Sequence, residues 1–415
     1  AGQILKVMAQ WSNLPGDILE SIAQRLDSQI ERVRFRSVCS SWRSSSSPIL
    51  DRCFACRFLP NDGISLSSLG FSLSKRNIYL IQLPPDHRRK SRSCSDIWLA
   101  KVERVDSHVK RLLNPLSRRP LDLFSSTFPS SLDLIDLRVS ELGQEYVLKH
   151  VECWPNSLQD VDDLYIEKVA MIWLEMENDF VLLTIHVSGK LAVYKSIDRD
   201  WSIIQDMPSP YDDVIAYKGR FFAVDNTGRA VIVGLDMDMM LASDPVFGGD
   251  KKFLVETCEG LLLVDMYLTI DMGEEYEHSE DEFPDHIVHY MTERAIKFRV
   301  FKLDEGSRNW MEIENLGDTI LFIGDDSTFS VMASELPGCD GNCIIFVNGT
   351  FFSEEEHEEE ADGDRTVSAN IGVFDLSTGI IRPLKSYAEF SNLFSLPSNW
   401  FSSKQDVRTH LSSQT

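Results

Sequence analysis

The chain has 415 residues, 43% of them hydrophobic and 10% aromatic, with a formal net charge of −24. That length and apolar content predict a folded protein of two or three domains and exclude a disordered chain. No run of about 18 apolar residues occurs, which disfavours a spanning helix, and the acidity disfavours a nucleic-acid surface. The opening "AGQILKVMAQ" lacks the charged start and long apolar core of a secretory signal. Residues 1–10 are expected to be an N-terminal extension, with Ala1 to Val7 upstream of the natural start or added to it. Eight cysteines scattered between Cys39 and Cys343 point to a reducing compartment rather than a disulfide scaffold.

From Trp11 to about Ser47 the spacing is helical. Leu14, Ile18, Ile22 and Leu26 recur every four positions, with Leu19 on the same face. Asn13 or Ser12 can cap this helix, Pro15 suits its first turn, and Asp17 and Glu20 complement its positive end. A break near Asp27 and Ser28 precedes "IERVRFRSVCSSWRSSS", where Ile30, Val33, Phe35, Val38 and Trp42 alternate with arginines. Ser44 to Ser47 and Pro48 close the module. So short a module cannot cover its own apolar stripe. It either packs on the rest of the chain or docks another protein, and its position before a polar linker favours docking.

Residues 49–110 read as a linker and lead-in, with a basic cluster "HRRKSR" at His87 to Arg92 that is a solvated linker or a nuclear import signal. From Leu121 short β-rich runs dominate, divided by Gly or polar turns, and no long βαβ alternation appears. "VYKSIDRDWSII" from Val193, "VFKLDEGSRNWMEI" from Val300 and "VFDLSTGIIRPL" from Val373 form an imperfect repeat. Each is a strand, a polar turn and a second strand, opened in the first two by Trp201 or Trp310. Such units suit four-stranded propeller blades of about 40–50 residues, six or seven in all; the alternative is an irregular β-sandwich. Asn348-Gly349 between "CIIFV" and "TFF" suits a tight hairpin turn. Fifteen of the acids lie in two stretches without Lys or Arg, 272–285 and 354–364. These are solvated insertions or a lure for a basic partner.

No catalytic constellation stands out. "CFAC" at Cys53 to Cys56 and "CDGNC" at Cys339 to Cys343 could supply four thiolates to zinc, but their separation favours ordinary packing and turn cysteines. His278, His286 and His289 lack a templated spacing and read as solvated. Walker-type and "GxSxG" motifs are absent from the sequence. Trp201 and Trp310 read as core anchors before they read as a ligand face. Catalytic residues, metal and cofactor are therefore expected to be none.

The residues "NLPGDILESIAQRL…IERVRFRSVCSSWRSS" resemble an F-box, with Leu-Pro near the start and an "RxVCxxWR" ending. The resemblance implies three short helices docking a Skp-type adaptor and through it a cullin. It marks Leu14, Pro15, Ile18, Leu19, Ile22, Leu26, Val33, Arg36, Val38, Cys39 and Trp42 as adaptor-binding. Stretches from "LLNPLSRRPLDL" at Leu112 to "SLPSNWF" ending at Phe401 resemble the KIB-type β-propeller of plant F-box proteins. The expected fold is multidomain α+β: an all-α F-box at 11–48, then a mainly β propeller at 111–402 and a tail at 403–415. The implied function is substrate recognition in an SCF-type ubiquitin ligase, in the nucleus and/or cytoplasm. A regulatory binding protein outside ubiquitin transfer and a propeller that binds sugar or carries its own enzyme site stay open as alternatives.

Overall fold

A computed structural model describes residues 11, 14–26, 29–46, 57–60, 70–83, 97–104, 110–121, 137–151, 166–174, 179–206, 208–272, 291–348 and 371–395. The basic cluster, Cys53 and Cys56, the three histidines, the acidic residues at 273–285 and 354–364, and the C-terminal tail lie outside them.

Three short helices come first: α1 (Gly16–Gln24), α2 (Gln29–Ser37) and α3 (Ser40–Ser44). Pro15 holds the N-cap position of α1 at φ −55° and ψ 145°, with no side-chain cap; Ser12 and Asn13, the expected caps, lie outside the described residues. Strands then dominate, as the turn-divided apolar runs predicted. The first sheet holds β1 (Arg57–Pro60), β2 (Gly70–Gln82), β3 (Ile97–Arg104), β4 (Lys110–Leu113), β5 (Arg138–Val151), β6 (Ile166–Trp173), β7 (Phe180–Ile185), β8 (Leu191–Lys195) and β9 (Asp200–Ile203). The second holds β10 (Tyr211–Tyr217), β11 (Arg220–Asp225), β12 (Ala230–Val233) and β13 (Met239–Ser243). The third holds β14 (Lys251–Thr257), β15 (Gly260–Met272), β16 (Met291–Asp304) and β17 (Asn309–Ile313). The fourth runs β19-β18-β20-β21-β22, from β18 (Thr319–Ile323), β19 (Thr328–Met332), β20 (Cys343–Val347), β21 (Ile371–Asp375) and β22 (Ile380–Pro383). A last helix, α4, spans Ala388–Phe394.

Every described pairing between these strands is antiparallel except β18 with β20, whose Ile320 lies opposite Cys343. The described strands form four sheets. The first is widened by the long β2–β5 ribbon, paired from Gly70↔Val151 to Gln82↔Arg138. One half of it carries β3 and β4, the other β6 to β9, so two four-stranded groups share one sheet. Strands β2 and β3 fall within the stretch expected as linker and lead-in.

The three repeat copies are the β8–β9, β16–β17 and β21–β22 hairpins. Each turn places a left-handed residue just before or near the second strand: Arg199 at φ 54°, Arg308 at 53° and Gly379 at 67°. Trp201 packs on Phe71 and Tyr194 in the core. Trp310 packs beside Leu254 and Phe301 and donates its indole N–H to Gly228 O at 2.9 Å. Both are the anchors expected. Gly349 and "TFF", which complete the expected Asn348 hairpin, lie outside the described residues. β20 lies between β18 and β21, and Asn348 Oδ1 accepts the Ala295 amide at 3.1 Å.

Apolar clusters join the sheets in a closed circuit. Leu183 and Val193 pack with Val214 and Phe221, linking the first sheet to the second. Phe222 with Leu263 links the second to the third, and Val264 with Phe346 the third to the fourth. Ile78 and Leu99 with Phe322 and Phe329 return to the first, covered by Phe390 and Leu393 of α4. Burial of such aliphatic and aromatic side chains contributes about 1.5–3 kcal/mol each.

Polar bonds stitch the sheet edges that this circuit brings together, since an unpaired edge is costly. Asp212 Oδ2 accepts the Lys252 amide at 2.9 Å and Asp213 Oδ2 the Leu254 amide at 2.8 Å. Burial pushes the Asp212 carboxyl up to about 6, against the pull of the Lys252 amide and charge. Its folded pKa lies above its ordinary value of 3.8, so the stability it contributes is complete below that value and lost as pH rises through about 6. Asp212→Asn is expected to flatten the pH dependence across that window by about 1–2 kcal/mol. Urea unfolding of both proteins on either side of the window measures it.

The first and fourth sheets meet at a buried ionic network. Arg76, 1% exposed, donates to Glu103 Oε1 at 3.0 Å, Glu145 Oε1 at 3.1 Å and Asp326 Oδ2 at 3.0 Å. Lys101 pairs with Glu145 at 3.1 Å, and Arg118 with Asp326 at 2.7 Å. Burial works to raise the Asp326 carboxyl, yet Arg118 and Arg76 hold it below its ordinary value. Burial and the Asp326 charge push neighbouring Asp325 up.

Candidate adaptor-docking surface

The helical module has a small core of its own. Leu19 of α1 is fully buried and Phe35 of α2 is 5% exposed. The Phe35 and Trp42 rings lie 4.6 Å apart between centroids, and the Trp42 indole N–H donates to Trp11 O at 2.9 Å. Arginines tie the helix ends. Arg32 Nε donates to Leu26 O at 2.7 Å, after α1. Arg36 Nη1 donates to Arg43 O at 3.0 Å and Ser46 O at 2.8 Å, a cation on the free carbonyls at the end of α3.

The residues expected to dock an adaptor thus divide three ways. Leu19 and Arg36 are used inside the module; Leu19, buried, has no surface to offer a partner. Leu14, Ile22, Leu26, Val33, Cys39 and Trp42 are half-buried. Pro15, Ile18 and Val38 are exposed, Ile18 at 45% and Val38 at 54%, beside Trp11 at 65%. Ile30 of α2 packs against the cluster of Ile81, Trp98 and Val139, seating the module on the first sheet, while Ile18 and Val38 stay open.

Sequence patterns had missed the ionic network, the largest group of buried titratable side chains. Arg76, Lys101 and Glu103 lie in the stretch read as linker and lead-in, and neither they nor Glu145 stood out by pattern; the available signal was charge inside otherwise apolar runs. Its groups are engaged with one another, a structural role. Cys339 and Cys343 are buried between the fourth and first sheets, on either side of the bend at 341–342. Burial, with the charge of Cys339, pushes the Cys343 thiol up to about 12. Cys258 is exposed. Alkylation of the native protein followed by peptide mapping is expected to label Cys258 and spare Cys343, because the thiolate is the reactive form. Among the described residues no group of three or more His, Cys, Asp or Glu is placed to hold a metal ion.

Comparison with protein families matches the F-box domain to residues 11–52 and the KIB1-4 β-propeller to residues 70–375. This chain belongs to the plant F-box proteins with a KIB1-4 β-propeller. It is 43% identical over 416 residues to F-box protein SKIP23 of Arabidopsis thaliana, covering 97% of this chain and 98% of that one. Two further Arabidopsis relatives are F-box protein At2g17036, 34% identical over 98% of each chain, and F-box protein At2g26160, 27% identical over 82% of this chain and 96% of its own. The F-box match covers α1 to α3. The propeller match begins at β2 and ends with β21, so the four-sheet circuit is the KIB propeller. F-box proteins that carry a β-propeller are typical substrate adaptors of SCF ligases.

Proposed function

We propose that this protein is the substrate-recognition subunit of an SCF-type cullin ubiquitin ligase. Its F-box docks a Skp-type adaptor and its propeller holds the protein to be ubiquitinated. The observation that carries this reading is the exposure of Ile18 on α1 and of Val38 between α2 and α3, in a module whose Leu19 and Phe35 are buried. Apolar side chains left open beside a formed core are what a partner's groove covers. The chain itself performs no chemistry on this reading. It raises the effective concentration of the target near the conjugating enzyme brought by the cullin assembly.

A regulatory binding protein outside ubiquitin transfer is the second reading, favoured by the seat of Ile30 on the first sheet. That seat uses α2 and leaves Ile18 of α1 and Val38 between α2 and α3 free, which favours the first. Co-purification from cells expressing tagged full-length chain separates them. The first reading expects a Skp-type adaptor and a cullin in near-stoichiometric amount; recovery of the folded chain without either supports the second.

A further inference from the structure

Helix α2 ends in a serine behind a row of arginines. Arg32, Arg34 and Arg36 stand five, three and one residues before Ser37. Residues 14–26 and 29–46 together hold five arginines against three acids, so cations gather here in a chain whose net charge is −24. Along an extended backbone side chains alternate. Drawn out, the three arginines line one face and the serine turns to the other. A protein kinase that selects arginine reads such a row with carboxylates, which pair with guanidinium groups in a fork.

Ser37 is placed where such an enzyme reaches it. It is exposed and is the last residue of α2, and two residues outside any helix follow it. Cys39 is already extended, at φ −164° and ψ 176°. Arg32 is exposed and Arg34 half-buried. Exposing the whole row opens α2, in which Phe35 is the buried side chain among those described. So small a core makes local opening cheap.

A phosphate on Ser37 changes the surface beside it. The Ser37 hydroxyl now donates to Val33 O at 2.7 Å, and Arg43 Nε donates to Arg36 O at 3.2 Å. Esterification removes the hydrogen of the first bond. It also brings about two negative charges to the carbonyl end of α2, where the helix dipole is itself negative. Val38, 54% exposed, is the next residue along the chain. For Val38 to enter an apolar contact, that dianion must lose its water, which is costly.

We propose that Ser37 is a phosphorylation site for an arginine-directed protein kinase, and that its phosphate releases the adaptor from the neighbouring surface. The effect, though not the site, rests on the substrate-recognition reading and adds a regulation to it. In the step the Ser37 oxygen bonds to the γ-phosphorus of ATP and the bond from that phosphorus to ADP breaks. The hydroxyl proton leaves to the base of the kinase.

The test uses the full chain with Ser91→Ala and Ser93→Ala, which silence the other arginine-rich serine stretch at 88–93. It is incubated with magnesium ATP and a kinase catalytic domain that selects arginine three and five residues ahead of serine. Phosphopeptides are mapped, and the treated chain is titrated with a Skp-type adaptor. Ser37→Ala and Arg34→Ala are run beside it, each checked for fold by circular dichroism. Expected are phosphate at Ser37 and incorporation slower by about tenfold or more in Arg34→Ala. Adaptor affinity is expected to fall by about tenfold or more once Ser37 carries phosphate, and treated Ser37→Ala to bind as the untreated chain does. No phosphate at Ser37, an unchanged rate in Arg34→Ala, or equal affinity before and after phosphorylation overturns the proposal. An untreated, folded chain that binds no adaptor contradicts the ligase reading and takes the release with it. The mapped phosphate and its dependence on Arg34 then still decide the site.

Discussion

Arg76→Ala is expected to cost about 3–5 kcal/mol of stability, the largest loss of any single charged side chain described above. The guanidinium is the common partner of Glu103, Glu145 and Asp326, all nearly inaccessible to water. Removing it leaves three carboxylates at the junction of the first and fourth sheets, opposed among the described residues by Lys101, Arg118 and the half-exposed Arg111, 3.9 Å from Glu103. Replacement of a whole buried ion pair by apolar residues can be neutral, so the cost comes from orphaning the acids. Arg118→Ala is the comparison: its side chain is 26% exposed and water can replace it in part, so about 1–2 kcal/mol is expected. The two variants are compared by urea unfolding. Asp326 adds an acid limit to the same junction. Its carboxyl is held low, so its contribution is present above its ordinary pKa and lost as pH falls through the lowered one.

The second large effect is on binding. Ile18→Asp combined with Val38→Asp is expected to weaken a Skp-type adaptor by about a hundredfold or more, since each change puts a charge where an apolar contact is desolvated. Both side chains are solvent-facing, so thermal melting is expected to stay within about 0.5 kcal/mol of wild type. Leu19→Ala behaves differently. It removes a fully buried leucine and costs about 2–5 kcal/mol, so lost binding in that variant reports lost structure. The pair of results separates a docking surface from a core.

Much of this architecture is legible in sequence where local chemistry decides it. The i, i+4 stripe marks α1, and the strand–polar turn–strand repeats mark three hairpins. What distance along the chain conceals is harder. Ile18 and Leu19 are adjacent and both apolar; only the packing of the folded module buries one and leaves the other at the surface. The pairing of Gly70 with Val151 depends on contacts 81 residues apart, and no turn signal announces it. "TILFI" and "CIIFV" are uniformly apolar, a pattern that declares burial and says nothing of partner or direction, so the parallel β18–β20 pair was invisible. The same holds for Arg76, Lys101 and Glu145. A charge on a strand reads as solvent-facing until its partners arrive from two other strands and another sheet.

The helical module is seated on the propeller by α2, and the proposed adaptor surface is Ile18 of α1 with Val38 between α2 and α3. The measurement that tests it most directly is isothermal titration of the purified full-length chain with a purified Skp-type adaptor. The account predicts a one-to-one complex for the wild type and loss of detectable heat for Ile18→Asp, Val38→Asp at an unchanged melting temperature. A folded wild type that gives no complex, or a variant that binds as tightly as wild type, would contradict it.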